Sequence, residues 1–215
     1  MFLHRREWLL GAAGGLALSL TGATAMAQRA ASQDVRAIVF DAFPVFDPRP
    51  VFALAEEFFP GKGGLLSETW RIRQFEYVWL RTIAERYADF WQVTEDALIY
   101  AAKALKVDLT AERRERLMQA YLKLPPWPDA IPALRSLKEA GFRLAFLSNF
   151  TSRMLEAGIR NGHLDGLFEH SLSTDAIQSY KPAPRAYRMA IDAFGLTQLP
   201  ACGRVFSTDE PAGAP

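Results

Sequence analysis

The sequence predicts an α/β fold: a parallel sheet flanked by helices and interrupted by a block of helices. Three observations carry this. A short apolar run at 35–40 ends on Asp41, residues 50–121 show helical periodicity without a strand signal, and strand-like and helix-like segments alternate from Asp129 onward. Sheets of this kind bind ligands beyond the carboxyl ends of their strands.

Residues 1–27 come first and read as a label rather than as part of the fold. A basic start, an apolar stretch rich in Ala, Gly and Leu, and the small-x-small end Ala25-Met26-Ala27 make a bacterial secretory signal peptide. Arg5-Arg6 before Glu7-Trp8-Leu9-Leu10 resembles the twin-arginine export motif, which implies a periplasmic protein that folds before export. The alternative is an uncleaved membrane anchor over 8–27.

In the first strand, Val35, Ile38, Val39 and Phe40 suit a buried strand that delivers Asp41 at its end. Within 50–121, apolar residues at 66, 70, 75, 79 and 83 keep the rhythm of one helix face. Thr94 and Thr110, each followed by acidic residues, read as N-caps of two further helices. After Pro125-Pro126-Trp127-Pro128, Asp129 caps a helix that Gly141 closes. Then come a strand at 143–147, a helix at 152–162, a weak strand at 168–173, a helix at 184–194 stopped by Gly195, and a last strand at 204–208.

Composition narrows the function classes. The 215-residue chain is 50% hydrophobic and 23% charged, with a formal charge of +1, so it is an ordinary folded chain with no electrostatic call for nucleic acid or an anionic membrane. Loss of Arg5, Arg6 and Glu7 with the leader would leave the remainder neutral. The one cysteine, Cys202, forms no internal disulfide and has no neighbouring zinc ligands. His163 and His170 read as ordinary surface or core residues.

Three strand ends carry the chemistry. Asp41 follows the first strand, Ser148-Asn149 the second, and Lys181 lies in Ser179-Tyr180-Lys181-Pro182 ahead of the helix at 184. Parallel strands put these carboxyl ends on one rim, where an ammonium beside the carboxylate favours its charged, nucleophilic form. Singly, each has a structural reading as a cap, a turn or a solvated loop; the constellation points to a site.

The segments Val39-Phe40-Asp41-Ala42-Phe43, Leu147-Ser148-Asn149 and Tyr180-Lys181-Pro182-Ala183-Pro184-Arg185-Ala186-Tyr187 resemble the haloacid dehalogenase superfamily. Trp70-Arg71-Ile72-Arg73-Gln74-Phe75-Glu76-Tyr77-Val78-Trp79-Leu80-Arg81 is similar to a helix of its L-2-haloacid dehalogenases, and the likeness spans about 34–196. The resemblance implies a Rossmann-like core over 34–47 and 126–215, with a helical cap over 48–125.

It also implies Asp41 as nucleophile toward C2 of a small 2-haloalkanoate, with Lys181 holding it. Ser148 and Asn149 bind the substrate carboxylate, Arg71 receives the halide, and Tyr187 sits near the nucleophile. Phe43, Ile72, Phe75 and Phe90 line the pocket. By composition alone, Arg71, Arg73 and Arg81 read as solvated helix-face residues, and Glu76 and Tyr77 as structural. No cofactor and no metal are implied, and the family likeness suggests a homodimer.

Superfamily phosphatases resemble one another in placing an acid two residues after the nucleophile, beside Mg²⁺. Phe43 stands there instead, which favours displacement at carbon over displacement at phosphorus. Two departures from the family pattern leave alternatives open. Pro44-Val45 replaces a longer Gly-Thr-Leu segment before Phe46-Asp47, removing a hydroxyl. After residue 208 the chain runs Asp209-Glu210 to Pro215, where the family continues with an acid-bearing motif that Asp209 or Glu210 could replace. A catalytically impaired remnant and a Mg²⁺-dependent phosphatase are the alternatives to a working dehalogenase.

Overall fold

The structure is a computed structural model that describes residues 37–196. The leader at 1–27, the start of the first strand at 35–36, the strand expected at 204–208, Cys202, Asp209 and Glu210 lie outside the described residues.

β1 (Ala37–Phe40), β2 (Arg143–Ser148) and β3 (His170–Ser173) form a parallel sheet in the order β1-β2-β3. The register pairs Phe40 with Phe146 and Ser148 with Ser173, so Asp41, Ser148 and the turn after Ser173 share one rim. β2 has neighbours on both sides and buries Leu144 through Ser148. β1 is half-buried along its length, where its apolar run suggested a buried strand. The sheet core centres on Phe146, stacked between Phe46 at 5.8 Å and Phe168 at 3.9 Å between ring centroids. Aromatic faces of this kind dominate core energetics because each buries a large apolar area.

Between β1 and β2 the chain forms α1 (Arg49–Phe58), α2 (Gly63–Ile83), α3 (Phe90–Ala104) and α4 (Ala111–Ala120), followed by a 3₁₀ turn at Tyr121–Lys123. The inner face of α2 differs from the expected stripe. Leu66 and Trp70 are buried, but the face continues through Gln74 and Val78, while Trp79 and Ile83 are 52% and 81% exposed. A buried glutamine is invisible to apolar periodicity. It is accommodated because Gln74 Nε2 donates to Thr94 Oγ1 at 2.6 Å and Trp70 donates its indole N–H to the Thr94 carbonyl at 2.8 Å.

Thr94 is therefore an interior residue of α3, its hydroxyl donating to the Phe90 carbonyl at 2.6 Å; the N-cap is Asp89, which accepts from Gln92 N. Thr110 does cap α4, accepting from Arg113 N. Two crossing segments link these helices to the sheet. They pair through an antiparallel bridge between Phe46 and Pro126, with Asp47 N donating to the Pro125 carbonyl and Trp127 N to the Val45 carbonyl.

Past the second crossing lie α5 (Ala130–Glu139), α6 (Ser152–Asn161) and α7 (Pro184–Phe194). Asp129 precedes α5 without a side-chain capping bond, whereas Thr151 caps α6 by accepting from Met154 N. Gly195 ends α7 in the left-handed region, where its missing Cβ removes the strain. The third strand is shorter than expected, starting at His170. His170 itself stands 3.4 Å from Glu169, an acid adjacent in the chain, and packs edge-on against Phe194.

Candidate active site

The site is built where β1 and β2 end. Asp41 leaves β1, and the chain turns at once: Val45 N and Phe46 N both donate to the Ala42 carbonyl, so the shortened Phe43-Pro44-Val45 segment forms a tight turn. Trp127 donates its indole N–H to the Phe43 carbonyl at 3.3 Å, fixing that turn from the second crossing segment.

Lys181 reaches the same point from the loop after β3. Its Nζ lies 2.8 Å from Asp41 Oδ1 and donates to the Leu147 carbonyl, also at 2.8 Å. The Lys181 and Asp41 side chains are 13% and 26% exposed, so the ion pair is largely withdrawn from water. With Oδ1 held by the ammonium, Oδ2 is the carboxylate oxygen left to react.

Ser148 and Asn149, expected on substrate, are already engaged with the protein. Phe150 N donates to Ser148 Oγ at 3.2 Å. Asn149 Oδ1 accepts from Lys181 N at 2.9 Å and from Thr174 Oγ1 at 3.2 Å. Asn149 thus holds the lysine loop, and what remains for a ligand is its Nδ2 donor pair and the Ser148 hydroxyl hydrogen. Tyr187, half-buried on α7, lies within electrostatic reach of Asp41: burial first, and the Asp41 charge second, push its phenol above the usual range.

An aromatic wall forms around Phe43, two residues after the carboxylate. Phe43 meets Phe150 edge-on at 5.1 Å, Phe75 at 6.1 Å and Phe90 at 6.4 Å, while Phe90 stacks on Phe150 at 5.3 Å. Phe75 and Phe90 come from α2 and α3, so the helical block supplies half of this wall. Phe150 and Tyr180, whose ring lies 6.5 Å from Phe90, are members the sequence reading missed. Their positions next to Asn149 and Lys181 were the available signal.

Ile72 is 52% exposed and stands outside the wall, on the α2 phase of Leu65 and Trp79. Arg71, one turn before Phe75, is exposed and carries its guanidinium 5.9 Å from the Phe75 ring centre. Its charge also reaches the buried Tyr121 phenol. Burial drives that phenol upward, opposed by Gln74 and then by Arg71. Glu76 pairs with Arg73 at 2.7 Å, apart from the carboxylate.

Phe43 stands two residues after the carboxylate and has no oxygen to offer a divalent cation, and Lys181 pairs with Asp41 Oδ1.

A strand-end carboxylate held by a lysine, with a block of helices inserted after the first strand, defines a class. The chain belongs to the haloacid dehalogenase-like hydrolases, whose family profile matches residues 19–202. Within that class it is similar to the (S)-2-haloacid dehalogenase of Pseudomonas sp. (strain YL), 41% identical over 163 residues covering 75% of this chain and 70% of the relative.

A solved L-2-haloacid dehalogenase superposes with a TM-score of 0.74 at 45% identity, over 75% of this chain and 74% of that one. The enzyme of Xanthobacter autotrophicus, solved with chloropropionic acid covalently bound, gives 0.70 at 37% identity, over 76% and 66%.

Proposed function

We propose that this chain hydrolyses the carbon–halogen bond of small L-2-haloalkanoic acids to 2-hydroxy acids. The observation that carries the reading is the Asp41–Lys181 pair, 2.8 Å apart, facing a phenyl wall where a phosphatase keeps its acid. Displacement of a halide needs no proton donor, so Phe43 costs this reaction nothing, whereas it deprives a departing alkoxide of its acid.

Asp41 Oδ2 attacks C2 from the face opposite the halogen. A carbon–oxygen bond forms, the carbon–halogen bond breaks, and the electron pair leaves with the halide. Water then adds to the Asp41 carbonyl carbon, the ester opens, and the products are the inverted 2-hydroxy acid, a proton and regenerated Asp41. Lys181 holds Oδ1 throughout.

Ser148 Oγ–H and Asn149 Nδ2 receive the substrate carboxylate, and Arg71 receives the halide as charge builds on it. Phe43, Phe75, Phe90 and Phe150 keep bulk water from the carboxylate during the first step. The Xanthobacter relative is solved with chloropropionic acid covalently bound, which is the support for the substrate class.

The helices at 48–125 act as the cap over the core. Residues 1–27 act as a twin-arginine signal whose removal leaves a periplasmic enzyme free of the membrane. A second copy of the chain covers the exposed stripe of α2: Leu65, Ile72 and Trp79 recur at seven-residue spacing, with Ile83 one turn on, and such a seam pairs with itself.

The deciding experiment is halide release from 2-chloropropionate and chloroacetate without added metal. Wild type releases halide and Asp41→Asn does not. Metal-dependent phosphate release from a generic phosphoester, without halide release, would overturn the reading in favour of a phosphatase. An ester persisting on Asp41 would identify the impaired form.

A further inference from the structure

We propose that Tyr87, in the loop between α2 and α3, is a positioning residue for Lys181, acting through Asp175 and Tyr180; the catalytic consequence rests on the dehalogenase reading. Tyr87 donates its hydroxyl to Asp175 Oδ1 at 2.6 Å across 88 positions of sequence. In return, Tyr180, the residue directly before Lys181, donates its hydroxyl to the Ala88 carbonyl. The two phenol rings lie 5.1 Å apart, and Tyr180 is 1% exposed. Burial, then the bond to Asp175, pushes the Tyr87 phenol far above its usual range, so it stays a donor.

The loop so gripped leads from β3 to Lys181. On its inner side it is fastened by the core: Ser173 Oγ donates to the Phe150 carbonyl at 2.6 Å, Thr174 Oγ1 to Asn149 Oδ1 at 3.2 Å, and Lys181 N to the same oxygen at 2.9 Å. These bonds fasten both ends of the arc, and its middle, 175–180, is shaped by local bonds of a 3₁₀ turn at Thr174–Ile177, with Gln178 N donating to the Asp175 carbonyl and Ser179 N to the Thr174 carbonyl. Both hydroxyl bonds that cross to residues 87 and 88 land on this middle, one at Asp175 and one at Tyr180.

The ammonium therefore reaches Asp41 Oδ1 from a backbone held on two sides, one of them supplied by the chain that carries Arg71 and Phe75. Seating that loop and placing the ammonium become one event, because a displaced arc would draw Nζ away from a contact of hydrogen-bond length.

The test compares Tyr87→Phe, which keeps the ring against Tyr180 and loses only the hydroxyl, with Asp175→Ala and Asp175→Asn; Tyr100→Phe on α3 is the control. The first readout needs no turnover: the rate of reductive methylation at Lys181, followed by peptide mass spectrometry on the unliganded full chain. Lys181 is slow to react in wild type and in the control. Tyr87→Phe and Asp175→Ala speed it by about tenfold, the scale of one lost hydrogen bond to a charged group. Asp175→Asn, which keeps an acceptor oxygen, restores most of the protection.

The second readout is halide release, where kcat falls by about tenfold to a hundredfold in Tyr87→Phe while KM moves by less than about twofold. Unchanged Lys181 reactivity in a folded Tyr87→Phe overturns the proposal, as does a variant that loses thermal stability but keeps wild-type kcat. Wild-type protein that releases no halide refutes the dehalogenase reading instead, and the methylation rates then still decide the positioning role.

Discussion

Replacing Lys181 by methionine keeps the length of the side chain and removes its charge. In the folded protein that charge sits 2.8 Å from Asp41 Oδ1 and 2.8 Å from the Leu147 carbonyl, with less than a third of either ionic side chain exposed. The gross attraction at this distance is about 6 kcal/mol for the effective dielectric that suits such sites. Desolvation of both ions offsets much of it, and truncating one partner of a withdrawn pair costs about 2–5 kcal/mol. If that loss falls on the transition state, where Asp41 must keep one oxygen aimed at carbon, kcat drops by between about thirtyfold and a few thousandfold.

Steady-state halide release from 2-chloropropionate measures it, with circular dichroism confirming the fold. Lys181→Arg does not restore the rate, because a planar guanidinium cannot replace a point ammonium between a carboxylate and a strand carbonyl. A Lys181→Met variant keeping more than about a tenth of wild-type kcat would refute this reasoning.

Three further outcomes follow from the packing and the ionisable groups. In Gly158→Ala the new Cβ would lie 2.5 Å from Cζ of Phe46, a fully buried ring stacked on Phe146. The clash, typically about 1–3 kcal/mol, outweighs alanine's helix preference of about 1 kcal/mol, so the urea midpoint falls; a rise would contradict this packing. Asp47 accepts from the Arg49 backbone N, Nε and a terminal nitrogen, and the side-chain bonds to Arg49 hold its carboxyl below the usual range. That contribution is present above about pH 4 and lost as pH falls through the lowered value, so Asp47→Asn flattens the acid limb of stability; parallel wild-type and variant curves would count against it. Tyr87, Tyr121 and Tyr180 are all pushed upward by burial, so the folded state favours their neutral forms. Their contribution is full below about pH 10 and lost above it, with phenolate absorbance appearing as helical signal disappears; stability level through about pH 11 would contradict it.

The strand that delivers Asp41 and the alternation after Asp129 were legible because strand ends and helix stops are local signals: a β-branched run, a glycine at a helix end, a proline at a helix start. The inner face of α2 was misread for a physical reason. Gln74 is buried with its amide nitrogen bonded to Thr94, a residue twenty positions away, and apolar periodicity cannot register a buried polar group, so the apolar stripe points Trp79 and Ile83 inward although both are exposed. Thr94 looked like a cap because a threonine before acids is one; that its hydroxyl serves Gln74 and the Phe90 carbonyl is a tertiary fact. The candidate site divides the same way. Asp41 and Lys181 stand out by type and position, whereas the second layer, with Asn149 on the lysine loop, Trp127 on the Phe43 carbonyl and Tyr87 on Asp175, exists only once distant segments meet.

The most direct measurement of the central claim is a single turnover in water enriched in heavy oxygen, with enzyme in excess over 2-chloropropionate. If Asp41 forms an ester that water opens at the carbonyl carbon, the Asp41 peptide gains one heavy oxygen and the first hydroxy acid released carries none. Heavy oxygen in that first product, with an unlabelled Asp41 peptide, would mean that water attacks the substrate directly and that Asp41 is not the nucleophile.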